Sequence, residues 1–486
     1  MGSINRLRLT PVLCAAAGAA AGYYILFKSA FAVIVSVLFT AVTVLCLFRV
    51  LASLNAGSRK LQLTSVCSAV FAVGLVLGLC AANAGRNEVN FGISENNVTA
   101  IEGVLLEDPR IVSSGSAMAS LSLKKCSSGG LRVSSRGVIT VFFPKESAEK
   151  LKQYGRGAAV FAEGTLRSSA QGWSFSAKSL HITQRAPAVE RMRTDIRLNL
   201  AQRFNDENWG ALSLALLLGI RDNLDSGFTA QYRDAGLSYI LALSGMHLAI
   251  LAALIAFILK KPLGLKASAV TGSVFIILYC LLVGPMPSLN RSAFMYIIGV
   301  IAILGALPKN SFSVLSISFL IQIIATPSAG NSLSFILSYT ALLGILITSQ
   351  SLSFLFAGKA PSFLLQPLSL SCGAFLATAG VCSFTFGIIS PIGIIAGLFI
   401  VPLTAVFMAG SLIWLLLDIF SLSHIPGWLL SFIYRLMEYT ASAAGRVPGI
   451  SANPYLVLAI SLALPVILIF FERQKRESLC KLQPFS

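Results

Sequence analysis

The chain has 486 residues, of which 56% are hydrophobic and 12% carry a charged side chain. Soluble domains are roughly a quarter charged, so this composition excludes an ordinary soluble protein. The net charge of +18 has two interpretations that can both hold. One is an excess of basic residues in cytoplasmic loops, and the other is an attraction for polyanions such as nucleic acid or anionic lipid.

Repeated apolar runs of about 20 residues predict a polytopic α-helical membrane protein. Residues 1–85 are predicted to hold three transmembrane helices, with apolar runs near 10–27, 30–48 and 63–82. Basic residues precede the first run and separate the second from the third, which places the N-terminus in the cytoplasm. The third helix then brings the chain to the outer side of the membrane.

Residues 86–188 are hydrophilic, and apolar and polar residues alternate along parts of this segment with a period of two. Five short strands are predicted near 98–106, 117–123, 137–143, 158–166 and 173–182. This number of strands in roughly 100 residues is typical of a small β-barrel, here an inserted extracytoplasmic OB-like domain. Such barrels bind single strands by a basic groove and aromatic stacking. The aromatic residues Phe142, Phe161, Trp173 and Phe175 are candidate DNA contacts; the alternative is that they fill the barrel core.

Residues 189–235 are predicted to form amphipathic or interfacial helices. Ile196, Leu200 and Phe204 share one helical face and the arginines lie elsewhere, which favours a helix in the membrane interface. The alternative is that the arginines form a basic surface that faces DNA at the mouth of a channel. The apolar run 209–220 is too short to span a bilayer.

Residues 236–472 are predicted to form a polytopic domain of nine further spans, about 12 in total, followed by a basic cytoplasmic tail at 473–486. Its first two spans are expected at 236–258 and 267–285. An odd number of spans after the outer segment places both termini in the cytoplasm. The basic loop residues then also lie on the cytoplasmic side, as the positive-inside rule requires. They are Lys260, Lys261, Lys266, Lys309 and Lys359.

One stretch carries a family resemblance. It contains Gly219, Arg221 and Gly236, followed by Leu241–His247, which reads LALSGMH. These residues resemble the signature of the ComEC family, and so does the layout of a few N-terminal spans before an OB-like domain. Later segments resemble the family too, namely Asn290–Ala293, Asn331–Tyr339 and Val401–Leu403. The resemblance implies a channel in the bacterial inner membrane that passes single-stranded DNA into the cytoplasm during natural transformation.

A path for single-stranded DNA should be wet and free of negative charge. Between residues 237 and 471 the only acidic residues are Asp418 and Glu438. We expect the path to be lined by polar and small residues of the signature and of the later segments, with Arg291 at DNA phosphate. The alternatives are interhelical packing for the serines, a structural role for the histidine and an interface anchor for the arginine. The candidates are Arg221, Ser244, Gly245, His247, Arg291, Asn331, Ser334 and Ser338.

Many members of the family that this chain resembles carry a metallo-β-lactamase-like domain. The three histidines, His181, His247 and His424, are too scattered for its metal cluster, and no P-loop motif occurs. We therefore expect no enzymatic activity, no metal and no cofactor. The expected partners are single-stranded DNA, the lipid bilayer, an extracytoplasmic DNA receptor and a cytoplasmic motor or DNA-binding protein; a homo-oligomer stays open.

Two other functions compete with the channel. A small-solute or lipid-linked transporter would commonly keep an acidic residue at the membrane midplane, and acids are scarce here. An intramembrane enzyme would use Ser244 as nucleophile and His247 as base, but no carboxylate is placed to complete the pair.

Overall fold

The computed structural model describes residues 11–25, 58–86, 88–112, 115–169, 172–308, 310–418, 420, 422 and 424–482. The chain forms two compact units. The first consists of Met1–Gly85, Asp225–Ile277 and Met286–Ser486, and the second of Arg86–Leu224 and Leu278–Pro285. The predicted span at 30–48 and Lys309 lie outside the described residues.

The second unit contains a small β-barrel. Its strands are β1 (Ala100–Leu105), β2 (Arg110–Ile111), β3 (Ala117–Ser128), β4 (Leu131–Ser134), β5 (Val138–Phe143), β6 (Ala159–Ser169) and β7 (Gly172–Gln184). Five of them close in the order β1-β6-β7-β5-β3, because β3 also pairs with β1. The β5–β7 pair is parallel and the other four are antiparallel. The predicted five-stranded barrel is confirmed.

Alternation along the strands separates the core of the barrel from its surface. On β5 the side chains of Ile139, Val141 and Phe143 are buried, whereas Phe142 is 37% exposed. The short helix α3 (Lys145–Tyr154) joins β5 to β6 and buries Leu151 against the same core.

Two helices follow the barrel, α4 (Ala188–Phe204) and α5 (Gly210–Leu218). The predicted helix exists as α4. It buries Phe204 of its apolar face, and it also buries two arginines. Arg193 and Arg197 are buried, whereas Met192 is 65% exposed and Ile196 38% exposed. The arginines can be buried because they bind acceptors within the unit, as described below.

The first unit is helical. Its helices are α1 (Pro11–Ile25), α2 (Ser58–Gly85), α6 (Ser226–Asp234), α7 (Ser238–Leu241), α8 (Gly245–Val283, which ends in the second unit), α9 (Pro287–Leu304), α10 (Ser311–Ala325), α11 (Leu333–Leu355), α12 (Ser362–Phe386), α13 (Ile392–Asp418), α14 (His424–Gly445) and α15 (Pro454–Leu482). Within the described ranges six helices are long and apolar enough to cross a membrane: α8, α9, α11, α12, α13 and α15.

Helix α8 is a hairpin rather than one long rod. Gly264 interrupts it with φ 74° and ψ 174°, just after Pro262. A Cβ at Gly272 would lie 3.7 Å from Ile255 Cγ2. In a straight helix these residues would be roughly 25 Å apart, so the chain folds back on itself at Gly264. The two halves correspond to the two spans predicted for this part of the chain.

Helices α1 and α2 pack in parallel through paired glycines. A Cβ at Gly18 would overlap the carbonyl oxygen of Phe71, and one at Gly74 would overlap that of Ala15. One turn further on, Gly22 and Gly78 repeat this approach to the partner helix. Small residues four apart on both helices therefore let the backbones touch, as in many membrane helix pairs.

Candidate functional site

The centre of the candidate site is Arg291, in the second turn of α9. This helix starts at Pro287, whose fixed φ suits a first helical position. The Arg291 side chain is buried, with 8% of its surface exposed. Its Nη1 donates to the carbonyl oxygen of Ser338, and its Nη2 donates to Ser292 Oγ at 3.2 Å. The guanidinium carbon lies 5.8 Å from the centre of the Tyr339 ring.

The charge of Arg291 has no counter-ion close to it. No described Asp or Glu forms an ion pair with its guanidinium, and the only charge-related neighbour is Tyr339. Within the described part of the chain, Arg291 Nε has no hydrogen-bond partner. A buried cation without a carboxylate is costly in a membrane-spanning bundle, and such residues commonly mark functional sites.

A polar network supports Arg291 from α10 and α11. Ser318 Oγ donates to the carbonyl oxygen of Arg291 at 3.1 Å and lies 3.1 Å from Tyr339 Oη. Tyr339 Oη donates to Gln322 Oε1 at 3.0 Å, and Gln322 Nε2 donates to the carbonyl oxygen of Pro287 at 2.8 Å. Sequence reasoning missed Ser318 and Gln322, although two polar residues four apart in an apolar helix were a usable signal.

The start of α8 lies directly against this arginine. A Cβ at Gly245 would be 2.5 Å from Arg291 Nη2 and 2.5 Å from Ser292 Oγ. Only glycine allows the guanidinium to approach the first turn of the helix this closely. Ser288 Oγ lies 2.8 Å from Ser338 Oγ on the other side of the cluster.

Ser244 and His247 form a contact at the start of α8, as their spacing predicts. The Ser244 backbone N–H donates to His247 Nδ1 at 3.1 Å, and Ser244 Oγ lies 3.1 Å from the same nitrogen. The backbone N–H of Ser244 thus makes Nδ1 the acceptor of this hydrogen bond. The residue three after the N-cap thus binds the N-cap N–H, as in a capping box. This geometry gives the fully buried His247 a structural task.

Three other predicted path residues do not join the Arg291 cluster. Asn331 and Ser334 are exposed. Asn331 Oδ1 accepts a hydrogen bond from Tyr23 Oη at 3.3 Å, which ties it to the end of α1. Arg221 is exposed in the turn after α5 and belongs to the other unit.

The four candidate aromatic residues of the barrel have different surroundings. Phe175 is fully buried in the core, so it cannot stack on a base as we expected. Trp173 packs edge-on against Phe91 with 5.3 Å between the ring centres. Phe142 is 37% exposed. Phe161 is half-buried, and the guanidinium carbon of Arg132 lies 5.7 Å from its ring centre.

The exposed Phe142 lies on a face rich in hydroxyl groups. The pairing register places Ser120, Thr140, Ser174 and Arg167 side by side across β3, β5, β7 and β6. In the next row, Phe142 lies between Met118 and Ser176. Ser120 Oγ donates to Glu107 Oε1 at 2.7 Å and Ser174 Oγ to the carbonyl oxygen of Arg167 at 3.3 Å, so this outer face offers the Thr140 hydroxyl, the Phe142 ring and the Arg167 side chain.

The second unit has its own buried charge cluster. Arg193 holds Asp108 with both ends of its guanidinium, at 3.0 Å from Nη1 and 2.7 Å from Nη2. The same side chain donates to the last carbonyl groups of α8, from Nε to Leu282 at 3.0 Å and from Nη2 to Val283 at 2.9 Å. Arg197 donates to Val283 as well, at 3.2 Å. The cluster therefore joins a barrel turn to the end of α8.

The cluster sets the protonation of Asp108. Burial alone would raise the pKa of this carboxyl, but hydrogen bonds from Arg193 and the charges of Arg197 and Arg193 outweigh burial and lower the pKa below its ordinary value. The backbone N–H of Arg156 adds a further hydrogen bond at 3.1 Å. Asp108 is therefore a carboxylate at neutral pH and balances part of the charge of the arginines.

No metal site is found among the described residues, where no three His, Cys, Asp or Glu side chains are grouped closely enough to hold an ion.

Comparison with known proteins gives a family match. The family model described as "Competence protein" matches residues 216–475. An uncharacterized protein of Aquifex aeolicus (strain VF5) is 25% identical over 273 residues, which cover 54% of this chain and 62% of that protein. ComE operon protein 3 of Bacillus subtilis (strain 168) is 29% identical over 145 residues, which cover 28% of this chain and 18% of that protein. The matches thus span less than two thirds of either relative. No solved structure matches.

Proposed function

The chain belongs to the Competence protein family, and on that premise we propose that it is a channel for single-stranded DNA in the bacterial cytoplasmic membrane, used in natural transformation. The observation that carries the proposal is Arg291, a buried cation of the first, helical unit that has no carboxylate partner among the described residues. It stands beside the start of α8, where unpaired N–H groups and the helix dipole add positive potential. Transporters that bind anions use helix starts at membrane depth in the same way.

The whole path would favour a polyanion. Residues 237–471 contain only two acidic residues, Asp418 and Glu438, so almost no fixed negative charge repels phosphate. The hydroxyl groups of Ser288 and Ser338, which share one hydrogen bond at 2.8 Å, lie beside the arginine and add neutral polar groups. The scarcity of acids counts against a charge-coupled transporter of small solutes.

We further propose that the barrel is OB-like and receives the strand outside the membrane. Closure of five strands around a filled core supports an OB-like barrel, which binds single strands on its outer face. Phe142 would stack on a base, while Thr140 and Arg167 would contact the backbone of the strand. Phe161 beside Arg132 is a second candidate platform.

The proposed topology has about 12 spans with both termini in the cytoplasm. The α8 hairpin supplies two of them, and its lysine-rich bend would face the cytoplasm. A receptor outside would deliver DNA, and a cytoplasmic motor or DNA-binding protein would pull it. No chemical step is assigned to the chain itself.

The test is DNA uptake in a naturally competent bacterium whose own channel gene is replaced by this one. Labelled DNA should become nuclease-resistant inside the cells. The change Arg291→Gln should lower this uptake roughly ten-fold or more, because a charge-assisted contact with phosphate is lost. The matched control is Arg446→Gln, which removes an exposed arginine. Equal uptake by both variants at equal membrane levels would contradict the role of Arg291, and no uptake by the wild type would contradict the channel.

A further inference from the structure

We propose that Arg291 and the N-terminus of α8 together form a binding site for a single phosphate-type oxyanion. The inference rests on the proposed function in one respect, since a phosphate of the DNA backbone would be its natural occupant. The site itself would bind inorganic phosphate in the absence of DNA. It is thus a property of the folded protein that can be measured without any transport.

The first part of the site is the start of α8. The backbone N–H groups of Gly245 and Met246 lie in the first turn of the helix, where no preceding turn supplies a carbonyl acceptor. The Ser244 N–H is already bound to His247 Nδ1, which fixes the direction in which the helix begins. Unpaired N–H groups at a helix start, with the positive end of the helix dipole, favour an anion.

The second part is the guanidinium of Arg291, which points at the same turn. Its Nη2 lies 2.5 Å from the position that a Cβ of Gly245 would occupy. The side chain is only 8% exposed, and its Nε has no partner in the described part of the chain. Two positive groups thus face each other without a carboxylate between them, and an anion would relieve their repulsion.

The donor set favours a tetrahedral oxyanion over a halide. A guanidinium binds phosphate through two parallel N–H donors, which a spherical ion cannot use as well. Ser292 Oγ accepts from Nη2 at 3.2 Å and donates its own proton to the carbonyl oxygen of Ser288 at 3.1 Å, so it holds the guanidinium in place at the helix start. The backbone N–H groups of α8 would bind another oxygen of the same anion. Phosphate uses every one of these donors at once.

Gly245 is the residue that makes the two parts a single site. A methyl group there would overlap Arg291 Nη2 and Ser292 Oγ, so it would push the guanidinium away from the helix start. A glycine elsewhere in the bundle provides the matched control. At Gly299 in α9 nothing lies within 4 Å of an added Cβ, so alanine fits there without any displacement.

The experiment measures radiolabelled inorganic phosphate bound to the full chain, purified in a maltoside detergent that contains no phosphate. We expect one saturable site. Arg291→Gln should weaken binding roughly ten-fold or more, and Gly245→Ala should weaken it in the same direction. Arg291→Lys keeps the charge but loses the two parallel donors of the guanidinium, so its affinity for phosphate should lie between those of the wild type and Arg291→Gln. Arg446→Gln and Gly299→Ala should bind as the wild type does, and gel filtration confirms that each variant is folded.

Competition separates the sources of the anion. A short single-stranded oligonucleotide should displace the phosphate, whereas the same oligonucleotide with uncharged methylphosphonate linkages should not. Displacement by phosphatidylglycerol but not by DNA would assign the site to a lipid headgroup and overturn its link to DNA. No phosphate binding by the wild type, or binding that neither Arg291→Gln nor Gly245→Ala changes, would overturn the site. None of these binding results would decide the uptake experiment, so the DNA channel and the oxyanion site can be contradicted independently of each other.

Discussion

The protein handles its buried arginines in two different ways. Arg193 is 7% exposed and lies in a cluster with Asp108, whose carboxylate it binds with two hydrogen bonds. Arg291 is 8% exposed and has only neutral partners. A paired charge of this kind maintains structure, because removal of one partner leaves the other buried and unbalanced. An unpaired one keeps a positive potential that a ligand can use.

The paired cluster predicts a pH-dependent stability. At neutral pH, Asp108→Asn should lower the free energy of unfolding by about 1.5–3 kcal/mol, because hydrogen bonds to a charged group are lost. Because the folded protein lowers the pKa of Asp108, this stabilisation is present above the ordinary carboxyl pKa and is lost as the pH falls through the lowered value. The difference between wild type and variant should therefore shrink below about pH 4.

Unfolding of the full chain in detergent, followed across that pH range, measures the effect. Glu107→Gln is the matched control, since this neighbouring carboxylate forms a partly exposed ion pair at 3.4 Å with Arg110 and accepts a hydrogen bond from Ser120 Oγ at 2.7 Å that a glutamine oxygen can also accept. Its loss should cost less than about 1 kcal/mol. A stability difference for Asp108→Asn that stays constant at every pH would contradict the proposed charge balance.

Sequence reasoning reached the local part of the candidate site and missed the tertiary part. The contact between Ser244 and His247 follows from their spacing of three residues on one helix. The contacts of Arg291 with Ser338 and Gly245 join three helices that are far apart in the chain. No periodicity predicts such a meeting; all three residues were candidates because they lie in segments that resemble the family.

At the level of elements, hydrophobic periodicity identified the helices and the alternating strands, but it did not show which polar side chains are buried. The alternation of the barrel strands placed Val141 inside and Phe142 outside. On α4 the apolar pattern did not indicate that Arg193 and Arg197 are buried, because they obtain acceptors from the end of α8. Such acceptors come from a remote helix, and a sequence pattern cannot show them.

The packing of α1 against α2 depends on single glycines. Gly78→Leu should separate the two helices, because its side chain would collide with the backbone of Ala19 and Tyr23. Overfilled contacts of this kind cost roughly 1–3 kcal/mol or more, so the thermal midpoint of the full chain in detergent should fall. Val76→Leu on the same helix is the matched control, since Val76 is 57% exposed. Equal midpoints for the two variants would show that the glycine contact does not hold α1.

At the scale of the whole molecule, the contacts define two ends of the first, helical unit. The Arg291 cluster and Gly245 lie at one end, and the α8 bend at Gly264 is 19 residues further along the helix, roughly 28 Å away. That distance matches the apolar thickness of a bilayer. At the ends of α11 and α15, Lys475 Nζ donates to the carbonyl oxygen of Leu355 at 2.9 Å. Basic residues thus mark the bend and the last turns of α15, whereas Arg291 lies beside the start of α8, far from that bend.

This polarity predicts which surfaces a reagent can reach in intact cells. The basic bend should face the cytoplasm, and the barrel should lie outside. In a variant without the nine native cysteines, a membrane-impermeant thiol reagent should label Leu131→Cys, whose position on the barrel is 74% exposed. The same reagent should label Lys261→Cys, in the α8 bend, only after the membrane is permeabilised. Labelling of Lys261→Cys in intact cells, with Leu131→Cys protected, would invert the topology. The Arg291 site would then face the cytoplasm, where it would meet the strand on exit rather than on entry.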